Sequence, residues 1–414
     1  MHRISTNLPN DNLQFHTRNR QVRMNEAQNR MAAQTRILNL RDDPAAAAHA
    51  TRQQSYLTRL ERFSDNIENS MEHYRTAEGH IRHGVDILQE IRQIAVMGGN
   101  GTYSKDDLSA MGRQVDELLQ EFISSANARD GEGNSIFSGD RTQNLPYRVV
   151  EGRIPGMGGT VVTDVEYIGN IGQRKTEVAD GKYIELNFPG NQVFWAENQQ
   201  LYAETDAQNY VVQADSAINV NGTEISLREG DNVYQVISKI NDSGAEVKAR
   251  LDPVSNSLVM ETTTPRQLWL ADENGSVLQD LGILQDGDSR PPQNISRDAR
   301  QFGGSAFDAI IRLRDNLYQG DTIDIGGDGL RSIDSALNNM LSNLGSVGAK
   351  TSRMELAFKR TEKEIVDVSD RASRLTDIDL TQAITEFAML EQTHQAALSV
   401  AADVMQTTLL DFLR

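Results

Sequence analysis

Three of the seven histidines fall at helical spacing: His73, His80 and His83. Steps of seven and three residues bring three imidazoles near one helix face, which is how a zinc site begins. No Asp or Glu pattern completes the set, and none of the three lies on the apolar line of that helix. A solvated face is therefore the expected role. His394 lies on an apolar stripe and reads as a packed side chain. The glycine-rich stretches "PGMGGT" and "IDIGGDG" lack the strand-then-helix context of a phosphate loop. "DGEGNS" starts like a calcium loop, but Ser135 stands at the turn glycine and the distal glutamate is missing. The chain contains no cysteine, which excludes thiolate ligands, disulfides and cysteine nucleophiles together. No Ser-His-Asp set and no paired carboxylates stand out. The expectation is no enzyme, no catalytic residue, no metal and no cofactor.

Charge narrows the partners. The formal net charge is -18 over 414 residues, against nucleic acid, which needs clustered Lys and Arg. The charge is uneven. Residues 1–60 carry nine Arg against four acidic residues, whereas residues 151–290 carry ten basic against twenty-two acidic ones. No apolar run reaches the length of a membrane span, so no membrane partner is expected. The first residues lack the apolar stretch of a cleaved secretory signal.

The dominant signal is periodic. After "RDDPAAAA", Asp43 can cap a helix that opens on Pro44, where a missing N–H costs nothing. Leu60, Ile67, Tyr74, Ile81 and Leu88 then recur every seven residues, with Phe63, Ala77 and Ile91 between them. A helix from Pro44 to about Met97 would be roughly 80 Å long. "GGNGTYS" ends it, and Ser104 with Asp107 reads as a capping box for the next helix. Near the far end, Leu337, Leu344, Phe358 and Ile365 form one heptad line. Met340, Val347, Met354, Thr361, Val368 and Leu375 form the other. Residues 1–40 make only a weak helix. Beyond the heptads an apolar stripe runs from Leu380 through Leu390 and Leu398 to Leu409, Leu410 and Phe412, and has no evident partner.

Between these ends the text turns β-like: "YRVV", "GTVVTDVEYI", "KYIELNF", "NQVFWAE", "NYVVQ", "EVKARLD", "SLVMETT" and "RQLWLA". One helix, "DNVYQVISKIND", interrupts it. The predicted fold is mainly α with a β insertion: long N- and C-terminal helices form an antiparallel coiled-coil rod around a strand-rich central domain.

Four stretches carry a family resemblance. "LRDDPAAAA", with Asp42, Asp43 and Pro44, resembles the segment near the start of the axial proteins of the bacterial flagellum, the flagellin family. "RLTDIDLTQAI" and "TTLLDFL" are similar to the matching C-terminal segment. "INVNGTEISLREGDNVYQVISKINDSGAEVKARLDPVSNSLVMET" resembles the flagellin IN motif. "GNSIFSGDRTQNLPY" and "AFDAIIRLRDNLYQGD" resemble the branch of the family that sits at the hook–filament junction. The alternatives are flagellin itself and, more distantly, an intracellular coiled-coil scaffold.

The resemblance implies a structural subunit of the flagellum, exported to the outside or the periplasm through the flagellar type III apparatus. It implies a ring of copies between the hook-side junction protein and flagellin, with an export chaperone as a further partner. It also implies a division of the chain. Residues 1–43 would be an N-terminal assembly helix, disordered in the monomer, and 44–144 one half of the rod. Residues 145–294 would be the inserted domain, with an IN-like part at 217–284. Residues 295–379 would be the other half of the rod and 380–414 a C-terminal assembly helix. Ile4, Leu8, Phe15, Leu390, Leu398, Leu409, Leu410 and Phe412 would be buried on assembly.

Overall fold

The computed structural model describes residues 8–154, 159–285 and 289–412. Its first helices are α1 (Leu8–Ala33), α2 (Pro44–Gly99) and α3 (Lys105–Ala126). Strands β1 (Tyr147–Gly152), β2 (Val161–Tyr167), β3 (Lys175–Ala179) and β4 (Lys182–Glu185) follow, then a short turn of helix, α4 (Gly190–Val193). Next come β5 (Gln200–Asp206), β6 (Ser216–Val220), β7 (Thr223–Leu227), α5 (Val233–Asp242), β8 (Val247–Leu251), β9 (Ser257–Thr262) and β10 (Leu270–Asn274). The chain returns through α6 (Val277–Asp280), β11 (Arg300–Phe302), α7 (Ala306–Gln319) and α8 (Thr322–Asp324) to α9 (Leu330–Thr376) and α10 (Leu380–Phe412). Two units result. One holds the chain up to Asp65 and from Phe358 onward; the other is Asn66–Ala357.

In the larger unit α2 and α9 run antiparallel, since the salt bridges Arg75–Glu355 (3.5 Å) and Arg92–Asp334 (2.5 Å) pair rising with falling numbers. Ile67, Tyr74, Ile81 and Leu88 of α2 are buried to 1% exposure or less. The α9 side of this core is carried by Ile333, Met340, Val347 and Met354, while Leu337 and Leu344 are half-buried. Two heptad lines three residues apart are legible in the sequence; which one faces the partner depends on what the partner offers. Gly84 on α2 supplies the opening: a Cβ there would come within 2.7 Å of Met340 Cε. Both α3 and α7 begin with capping boxes, Ser104 with Asp107 and Ser305 with Asp308. They pack together around Arg314, which is fully buried and bonded to Asp116 (2.7 Å) and Asp315 (2.8 Å).

"IDIGGDG" forms a π-helical turn over Ile325–Gly329 that leads into α9. Gly326 in this turn meets the end of α2 closely. A Cβ on Gly99, at the end of α2, would sit 2.8 Å from Gly326 Cα, so two backbones meet where no side chain fits.

The insertion holds two hairpins, β1–β2 and β3–β4, and two larger sheets, ordered β10-β6-β7 and β11-β5-β9-β8. Asn221 and Gly222, both at positive φ (50° and 85°), make the tight turn between β6 and β7. The two larger sheets and α5 bury their inner faces in one core that includes Ile218, Ile225, Val236, Leu201, Met260 and Leu281. Two strand-like stretches are not strands. "NQVFWAE" forms the turn α4 and the buried Phe194 and Trp195, and "NYVVQ" contributes one isolated bridge at Val211. A short apolar run carries too little period to fix a strand, and of the second stretch only Val212 is buried while Val211 is exposed.

The candidate assembly site

In the smaller unit Leu60, Phe63 and Val368 form a small core, flanked by Tyr56, Leu57 and the partly buried Ile365. Phe358 and Leu375 are half-buried. Tyr56 donates to Glu364 (2.5 Å) and Ser64 to Glu362 (2.7 Å), so the helices are antiparallel here as well.

The "DDP" motif builds the joint between α1 and α2. Asp43 accepts from Ala46 N (3.0 Å) with Pro44 as the first helical residue, which is an N-cap. Asp42 accepts from Leu38 N (3.1 Å) and Asn39 N (3.0 Å). The hydrogen bond from Asn39 does most to hold this carboxyl below the usual value; burial opposes it, and Leu38, Arg30 and Arg41 add to the lowering. The folded linker then meets the turn between α9 and α10. Arg36 N donates to Thr376 O (2.7 Å), Ile378 N to Gln34 O (3.2 Å) and the Arg36 guanidinium to Leu375 O (3.1 Å). Asp379 caps α10 through Thr381 N (2.9 Å) and Gln382 N (3.1 Å). A cleft of about 590 Å³ opens at this joint between Arg23, Arg30, Arg36 and Arg374 on one hand and Asp377 and Glu386 on the other.

Beyond the joint, α1 lies against α10, with Arg20 donating to Thr393 O (3.0 Å). The two ends, expected to lack a partner within one chain, are thus paired with each other. The pairing is incomplete as burial. Ala383 and His394 are buried and Leu390 half-buried, but Phe15 stays 62% exposed, Ile384 59% and Leu398 47%. Val22, Leu380, Met389 and Val400 are exposed too. Two paired helices that still carry apolar side chains into water are a surface for further burial. Ile4 lies outside the described residues, as do the side chains of Leu8, Leu409, Leu410 and Phe412. Arg20, Gln34 and Arg36, which tie the two ends, gave no sequence signal, because polar residues in a weak helix have many equivalent readings.

The histidines do no comparable work. His83 sits 3.0 Å from Glu121 on an exposed face. The His80 imidazole is pushed below its usual value, by burial first and by His83 beside it. Among the described residues no three His, Asp or Glu side chains gather as a metal set, and none of the helices is long and apolar enough to cross a membrane.

Long terminal helices packed antiparallel and a strand-rich insertion between them define a mainly α fold with a β insertion. The chain belongs to the bacterial flagellin family: the models of the flagellin N-terminal helical region, the flagellin C-terminal helical region and the flagellin hook IN motif match residues 4–142, 330–413 and 214–264. It is accordingly a component of the flagellum, from a structural family. It is 23% identical to flagellar hook-associated protein 3 of Escherichia coli over 49% of this chain and 61% of that protein. It is 22% identical to flagellin B of Vibrio anguillarum over 98% of this chain and 96% of that one. Hook-associated protein 3 of Legionella pneumophila, a crystal structure, superposes with a TM-score of 0.48 at 18% identity, over 78% of this chain and 98% of that one.

Proposed function

We propose that this chain is a non-enzymatic subunit of the hook–filament junction. Copies would assemble as a short ring, with hook-associated protein 1 on the hook side and flagellin on the other. The subunit would be exported in unfolded form, held beforehand by an export chaperone. The observation that carries the reading is the terminal pair: α1 and α10 are tied to each other at a hydrogen-bonded joint, yet present Phe15, Ile384, Met389 and Leu398 to solvent. Burying these side chains between neighbouring copies removes apolar area from water, the main favourable term in association.

The test is a strain lacking this chain, viewed by electron microscopy. Hooks without filaments, with flagellin in the medium, are expected. Normal filaments would overturn the junction role. A specific observation supports flagellin as a second reading, since flagellins of Vibrio align over nearly the whole chain. Copy number in sheared flagella separates the two: a junction ring needs few copies, a filament very many.

A further inference from the structure

We propose that Asn100 is a self-modification site: its side-chain amide is converted to aspartate and isoaspartate without an enzyme, while the fold protects the same dipeptide elsewhere. Asn-Gly occurs at Asn100–Gly101, Asn221–Gly222 and Asn274–Gly275. In each, the glycine N–H follows the asparagine at the spacing that closes a five-membered ring on its side chain. Glycine resists that closure least, because it has no Cβ and tolerates positive φ. The reaction balances with water alone. Gly101 N bonds to Asn100 Cγ, and its proton leaves with Nδ2 as ammonia. Water then opens the succinimide at either carbonyl, giving aspartate or the isoaspartyl link, whose backbone runs through the side-chain carbon. Loss of ammonia makes the change irreversible, so it records the age of each chain.

The three sites differ in what restrains them. Asn221 is locked. Its Nδ2 donates to Ala245 O (3.0 Å) and its Oδ1 accepts from Trp269 N (3.0 Å). The Gly222 N–H that would attack is donated to Asn219 Oδ1 (2.9 Å). Asn274 is exposed, but it ends β10 opposite Ala217, and its Nδ2 reaches Asp215 O at 3.4 Å. The glycine after it is crowded, since a Cβ on Gly275 would lie 2.6 Å from Ser216 Oγ. Asn100 escapes all of this. It is exposed just past the end of α2, held by its backbone N–H to Met97 O (3.2 Å). Among the described residues no hydrogen bond holds its side-chain amide or the Gly101 N–H. Gly101 is at φ 67°, and a Cβ there would meet nothing within 4 Å. Both the amide and the attacking nitrogen are free to approach.

The product puts a charge where the fold suits it least. Asn100 adjoins the C-terminal end of α2, whose unpaired carbonyls favour cations and disfavour a carboxylate. Gly99, the residue before it, packs on the backbone of Gly326. A longer isoaspartyl backbone therefore lies beside a contact with no slack.

The test incubates the full chain at mildly alkaline pH in water labelled with heavy oxygen. Peptide mapping by mass spectrometry then separates asparagine, aspartate and isoaspartate at each site. Asn100 should convert first. Asn221 should be slower by about tenfold or more, because its hydrogen bonds must be released before the ring closes. Asn274 should lag as well. In urea, where the fold no longer distinguishes them, the rates should converge. Asn100→Gln, whose longer side chain closes a larger ring far less readily, should keep its amide. The Tm of the wild type should fall by about 1–3 °C as conversion proceeds, and that of Asn100→Gln should hold. An Asn100 that stays an amide as long as Asn221 in the folded chain would overturn the proposal. So would rates as unequal in urea as in the folded chain, because the fold would then not be what selects the site.

Discussion

The side-chain amide of Asn339, on α9, donates at 2.7 Å to the backbone carbonyl of Trp195, and a second bond at 2.9 Å reaches Gln192. Asn339 is only 9% exposed. One helical side chain thus satisfies two carbonyls of the α4 turn, the segment that reads as a strand in sequence and is not one. Asn339→Ala should leave both carbonyls unpaired and cost about 1–3 kcal/mol. Thermal denaturation of the full chain checks this; a Tm equal to wild type would show that water replaces the amide without loss.

How much of this was legible in sequence depends on the kind of signal. The α2 core was readable from Leu60 to Leu88 because apolar side chains repeating every seven residues along a polar helix need a second helix to cover them. On α9 the period was equally clear, but its phase was not. Burial falls on Met340, Val347 and Val368 and leaves Leu337, Leu344, Phe358 and Ile365 partly covered, because the facing helix decides which line fits. Pairing of α1 with α10 was not legible at all. The one side-chain bond between them described above, Arg20 to Thr393 O, and the bond that ties the linker after α1 to the end of α9, Arg36 to Leu375 O, both go to backbone carbonyls and leave no periodic trace.

Arg314 should be the most costly single charge to remove. It is wholly buried, its guanidinium divided between Asp116 on α3 and Asp315 beside it. Taking away one member of a buried ion pair leaves the other charge uncompensated, at about 3–5 kcal/mol. Arg314→Met should lower stability by that order in urea denaturation. Combining it with Asp116→Asn should recover part of the loss. Strict additivity of the two substitutions would mean that Arg314 and Asp116 are not coupled.

Asp42 gives a pH-dependent prediction. Its carboxyl is lowered from 3.8, chiefly by the hydrogen bond from Asn39. A depressed folded-state pKa contributes stability above the unfolded value and loses it as pH falls through the folded one. The joint should therefore hold at neutral pH and loosen only at pH below 3.8. The amide NMR signals of Leu38 and Asn39 should titrate together with a midpoint below that value, and Asp42→Ala should abolish the titration. A midpoint above 3.8 would contradict the geometry.

The last prediction concerns the exposed row on α10. Ile384 and Leu398 are 59% and 47% exposed in the single chain, so changing them removes little of its packing. Ile384→Asp with Leu398→Asp should leave Tm within about 1–2 °C of wild type, because surface substitutions away from special features stay within about 0.5 kcal/mol. Assembly is a different matter. In a ring the same side chains would lose their remaining contact with water, worth up to about 1.5–3 kcal/mol for each fully buried residue. A carboxylate in that place must also be desolvated without a partner, which adds a penalty of several kcal/mol in the same direction. The loss recurs at every copy-to-copy contact. Cells carrying the double variant should export the protein but lose it to the medium, together with unpolymerised flagellin. A variant that melts well below wild type would place Ile384 and Leu398 in the folding of the chain itself. Filaments of normal number and length on a variant with unchanged Tm would remove this row from assembly, and with it the observation on which the junction reading stands.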